Sequence, residues 1–180
     1  MSNLSAARLG LGKFQQVESD AREALALVEG LNFCAHSETY AFLGEACLGQ
    51  GKLKEALDAA NRALALARES ENDLDLGIAW RTLGKVLAAW NKDELGAPPG
   101  LASICQPHPD PQSCFLKSHQ IFKKINAESE AARTLRAWAE FDLQNGRVEE
   151  GNKRLEEAQT ILHRLGAVAP AENEPVTQSK

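Results

Sequence analysis

The stretch Tyr40-Ala41-Phe42-Leu43-Gly44-Glu45-Ala46-Cys47 decides the fold, because its key positions return as Trp80, Leu83, Gly84 and Leu87, 40 residues later. Gly51 follows Gly44 by seven residues, and Ala56, Ala60 and Ala63 follow it at helical spacing. Upstream, Gly12 stands 39 residues before Gly51, and Val17, Ala21 and Ala24 hold the same places after it. Self-similarity at this period predicts helical hairpins, each unable to bury its apolar face alone.

Working outward, the apolar stripe Tyr40, Leu43, Ala46, Cys47 predicts a helix from Ser37 to Gln50. Gly49 and Gly51 break it, and a second helix runs from Leu53 to Ser70. Gly44 and Ala56 are small enough for the two backbones to approach closely. The next hairpin opens with a helix from Leu74 to Trp90, carrying Trp80, Leu83, Gly84 and Leu87. A Gly- and Pro-containing insert, 92–109, then interrupts the period and is expected to be a mobile loop. The partner helix restarts at Asp110-Pro111, a capping residue followed by a proline tolerated in the first turn. Phe115, Ser118, Ile121 and Phe122 form its buried stripe. The last hairpin has helices from Ala127 to Asn145 and from Val148 to Leu165, the second lined by Val148, Gly151, Leu155, Ala158, Ile161 and Leu162. The repeats therefore fall near 1–30, 36–70, 74–125 and 127–166, and 168–180 reads as a disordered tail. Counting back from Gly12, the first repeat is expected to begin upstream of Met1, which leaves two expectations: a fragment of something longer, or another surface covering that edge.

Bulk composition narrows the function. The 180 residues carry a formal charge of −5, which argues against general nucleic-acid binding. No apolar run approaches the ~18 residues of a membrane span. The N-terminus lacks a basic segment followed by an apolar one, and four Cys make no disulfide framework. A cytoplasmic protein with reduced thiols is expected. Neither a phosphate-cradling loop, a nucleophile elbow nor a His-Glu-x2-His pair occurs. Glu149-Glu150 and Glu156-Glu157 read as solvated charge, so neither catalytic residues nor a cofactor are expected. Cys105-x2-His108-x5-Cys114, with His119 beyond, offers the ligand types of a zinc site or, through Cys105 and Cys114, a disulfide. Its spacing fits no established zinc motif, and the expectation is no metal, with Cys114 near the core. Cys34 and Cys47 read as small buried residues.

These residues resemble the tetratricopeptide repeat, whose pattern is Trp-x2-Leu-Gly-x2-Tyr, then Ala-x3-Phe, then Ala and Pro. Tyr40 and Trp80 match the leading aromatic, and Leu43-Gly44 and Leu83-Gly84 the Leu-Gly pair. Ala56, Ala63, Ala158 and Phe115 match the second helix. Cys47 and Leu87 replace the Tyr, the closing Pro is missing, and the period is nearer 40 than 34. That longer period, with the stretches 132–138 and 161–167, is similar to arrays at the C-termini of large bacterial signalling ATPases and nucleotide cyclases. The resemblance implies an all-α, right-handed α-solenoid. It also implies a concave groove lined by the first helix of each hairpin, acting as a scaffold or regulatory surface.

Groove-facing positions implied by the resemblance hold Glu38 and Glu45, then Arg81 and Lys85, then Arg133, Arg136 and Glu140. Arg81 and Lys85 are like charges one turn apart, which costs a few tenths of a kcal/mol in an isolated helix. Two accounts stay open: ordinary solvated charge, or a site for an anionic ligand. The expected partner is a protein or an acidic peptide, or other domains of a parent chain, with neither nucleic acid nor membrane involved. The alternative class is a small-molecule, redox or metal sensor built on the insert.

Overall fold

The computed structural model describes residues 2–30, 37–90 and 109–166. Among the described residues the chain is all-α, with eight helices and no strand. They are α1 (Ser2–Gly10), α2 (Phe14–Gly30), α3 (Ser37–Gly49), α4 (Leu53–Glu69), α5 (Asp73–Ala89), α6 (Pro111–Lys124), α7 (Glu128–Gln144) and α8 (Val148–Arg164). None is long and apolar enough to cross a membrane. The insert reading, with Cys105 and His108, the tail reading, and Cys34 and His36 lie outside the described residues.

One turn chemistry recurs along the chain. Gly12, Gly51 and Gly146 sit at φ +69, +74 and +75, in the left-handed region where a side chain is strained. At the α3–α4 turn, Gly51 N–H donates to Leu48 C=O at 2.9 Å and Lys52 N–H reaches back to Cys47 C=O at 2.9 Å. The α1–α2 and α7–α8 turns make the same pair of bonds, satisfying carbonyls that a helix end otherwise leaves bare. Between α6 and α7, Asn126 takes that conformation at φ +56. Helix starts are set by side chains where they must be sharp. Asn72 accepts from Leu74 N–H at 3.0 Å, and Asp110 from Ser113 N–H at 3.0 Å.

Each odd-numbered helix packs on the even-numbered helix that follows it, and the next odd helix closes on that pair. The odd helices also approach one another in order: α1 on α3, α3 on α5, α5 on α7. The core runs along these seams, with Leu57, Leu64, Leu83, Val86, Phe115 and Phe122 fully buried. Each buried Phe contributes about 2–3 kcal/mol of apolar transfer energy. Close approach depends on missing side chains. A Cβ on Gly44 would meet the Thr82 methyl at 3.1 Å and the Ala56 carbonyl at 3.4 Å; one on Gly84 would meet the Phe115 ring at 3.0 Å.

The last hairpin differs from its predecessors. Asn152, Glu156 and Gln159 of α8 hold the places of Leu57, Asn61 and Leu64 in α4; the α4 residues are buried and the α8 residues exposed. Val148, expected to line the helix interior, is 53 % exposed, because none of the described helices closes over the start of α8 as α5 does over α4.

Candidate functional site

The odd-numbered helices, with Phe14 of α2, wall an open cavity of about 640 Å³. One end is apolar: Ala6 and Leu9 of α1, Phe14 of α2, and Phe42 and Leu48 of α3. Phe14 reaches this wall because Gly49 has no side chain; a Cβ there would fall 2.5 Å from the ring. The other end is charged. Glu45, Arg81, Lys85, Arg133, Arg136 and Glu140 all line it, so the fold brings together six of the seven charged residues singled out in the sequence, while Glu38 is not among its walls. Equivalent places on adjacent helices meet here: Arg81 matches Arg136, and Glu45, Lys85 and Glu140 hold one position on α3, α5 and α7.

The cations are not equivalent. Arg81 is only 8 % exposed. Its guanidinium pairs with the Glu130 carboxylate at 2.7 Å, donates to the Glu130 carbonyl at 3.3 Å and lies 5.5 Å from the Phe122 ring centre. Lys85 pairs with Glu45 at 2.5 Å, and Arg133 with Glu130 at 2.8 Å. The like-charged pair Arg81 and Lys85 is thus compensated within the fold, by one carboxylate each from α7 and α3. Arg136 and Glu140 are exposed, and neither makes an ion pair or side-chain hydrogen bond among the described residues. Burial pushes the Glu45 carboxyl upward, but the charges of Lys85 and Arg81 outweigh it and hold it below the ordinary carboxylate range. Glu45 is therefore ionised at neutral pH.

Two contributors were missed in the sequence. Glu130 carries the counter-charge for both Arg81 and Arg133; its signal was the three-residue spacing to Arg133. The apolar wall was signalled by Phe42, an aromatic lying between core positions of α3.

Elsewhere, the Glu18 and Glu55 carboxylates and the Cys47 sulfur lie within 4.8 Å of one another. Glu18 already accepts hydrogen bonds from Lys52, Gln50 and Arg22, and Glu55 accepts one from Arg22. Burial, with both carboxylates, pushes the Cys47 thiol up, whereas a metal ligand must be a thiolate. The cluster reads as an ion-pair network. Cys114 packs towards Gly84 in the core, while His119 lines a different cavity of about 470 Å³ with Glu157 and Ile161 of α8. These two candidate zinc ligands therefore face apart. Burial lowers the His119 pKa, so its imidazole is neutral at pH 7. Neither family models, curated proteins nor solved structures give a match to this chain.

Proposed function

We propose that the chain is a non-catalytic protein-interaction module, a right-handed solenoid of tetratricopeptide type whose concave groove holds a peptide or an acidic segment of a partner. The observation that carries this reading is the cavity walled by the odd-numbered helices, apolar at the α1–α3 end and charged at the α5–α7 end. Apolar side chains of a ligand gain area at Phe14, Phe42 and Leu48, and the cations orient its acidic groups. The turn chemistry repeated at hairpin after hairpin supports the solenoid reading. The resemblance to arrays of bacterial signalling proteins supports a regulatory, cytoplasmic setting, with the partner in the same parent chain or a separate one.

The test is selection of peptides from a random display library on the purified protein, followed by titration of the selected sequences. Phe42→Ala and Arg136→Gln should each weaken binding, the pair by about tenfold or more, with circular dichroism unchanged. Selected peptides that bind the double variant as tightly as the parent protein would place binding on another surface.

A further inference from the structure

We propose that Glu45 is the selectivity residue of this groove: by occupying Lys85 it turns away multiply acidic ligands and leaves Arg136 to take a single carboxylate. The inference rests on the peptide-groove reading above. Four cations line the cavity, but three already have a carboxylate. Glu130 serves Arg81 and Arg133, and it is not itself a wall of the cavity. Glu45 is different, because it lines the cavity and sits 2.5 Å from the Lys85 ammonium. A ligand carboxylate approaching Lys85 meets a like charge already in place. Thr82 Oγ1 donates to the same carboxylate at 3.5 Å, which helps to keep it in that position.

The same position on α7 is Glu140, a second carboxylate in the cavity. Along α3, α5 and α7 the sign therefore runs minus, plus, minus. At this position a polyanion laid across the three helices meets two carboxylates and one cation, and like charges brought together at a binding surface are what suppress wrong partners. Among the described residues Arg136 is the cavity cation without an ion pair, on the next odd-numbered helix from Lys85. With the apolar wall at the α1–α3 end, the chemistry that fits is an apolar segment bearing one carboxylate.

The experiment compares two fluorescein-labelled peptides of equal length, one Leu-rich with a single Glu and one with three Glu. Anisotropy titrations use the intact protein, Glu45→Gln and Arg136→Gln, with helicity checked for each. The parent protein should favour the singly acidic peptide. Glu45→Gln should tighten the triply acidic peptide about fivefold while moving the singly acidic one less than about twofold. Arg136→Gln should weaken the singly acidic peptide. An unchanged preference in a helical Glu45→Gln protein, with binding otherwise intact, overturns the proposal and leaves the groove reading standing. Absence of binding by every protein overturns the groove reading and the proposal with it. If Glu45→Gln does not fold, the double variant Glu45→Gln/Lys85→Gln replaces it. Removing the carboxylate together with the cation it masks should not weaken the triply acidic peptide, and a selective loss of that peptide shows that Lys85 was available after all.

Discussion

Lys85 and Glu45 stand 40 residues apart in sequence, in the same place of successive repeats, and their charged groups meet at 2.5 Å. The period itself makes the pair, since it sets equivalent positions side by side on α3 and α5. Both side chains are partly exposed, at 32 % and 16 %, so solvent screening discounts their attraction. A double-mutant cycle of Glu45→Gln and Lys85→Met should give a coupling of about 1 kcal/mol in urea unfolding. Zero coupling would make the contact incidental.

Gly44 is a packing contact, and its substitutions should separate by size. Alanine places a Cβ 3.1 Å from the end of the Thr82 side chain, which can yield, and gains about 1 kcal/mol of helix propensity over glycine. Gly44→Ala should therefore be close to neutral. Leucine has to enter the seam against the Ala56 carbonyl and the Ala60 amide, both backbone atoms. Gly44→Leu should cost about 3 kcal/mol by forcing α3 and α4 apart. Equal unfolding midpoints for the two variants would show that the seam has room.

What was legible in the sequence, and what was not, follows from how far each determinant reaches. The helix limits were legible because Gly51, Gly146 and Asp110 act on neighbours within five residues, through a left-handed turn or a cap. The shared location of Arg81 and Arg136 was legible because repetition carries it. The pairing of Arg81 with Glu130 was not, since it spans 49 residues and depends on how α5 and α7 rotate against each other. Phe14 as a wall of the cavity was equally hidden: it needs the empty space over Gly49, on a different helix. The exposure of Val148 follows from none of the described helices packing over the start of α8, which its own apolar character does not reveal.

Acid should loosen the first hairpins through Glu18. The Lys52 hydrogen bond, helped by those of Gln50 and Arg22, lowers this carboxyl from an ordinary 4.5 to about 2. A depressed folded pKa means that the ionised form contributes stability above pH 4.5. That contribution is lost as pH falls from 4.5 towards 2. Urea midpoints of the parent protein and Glu18→Gln should differ most above about pH 5 and converge on the way down. A gap that stays constant from neutral pH to pH 3 would remove Glu18 from the acid response.

The final hairpin should be held by Asp142 and should fail locally without it. Asp142 is 1 % exposed and pairs with two guanidiniums of the α7–α8 hairpin, Arg147 at 2.7 Å and Arg154. Arg154 also lies 4.0 Å from the Trp138 ring centre, and Arg147 lies 4.9 Å from that of Phe141. One carboxylate thus fixes both cations on aromatic faces of α7, joining the two helices where α8 has few large buried side chains. Asp142→Ala leaves both cations without that carboxylate, a loss of the kind that costs about 3 kcal/mol. The backbone of α8 comes close to that of α7 alone among the described helices, so the damage should stay there. Hydrogen exchange followed by mass spectrometry should show α8 and the C-terminal half of α7 exchanging faster, with α3, α4 and α5 protected as before. Uniform acceleration along the whole chain would instead mean that the helices unfold as one cooperative unit and that Asp142 is a global, not a local, support.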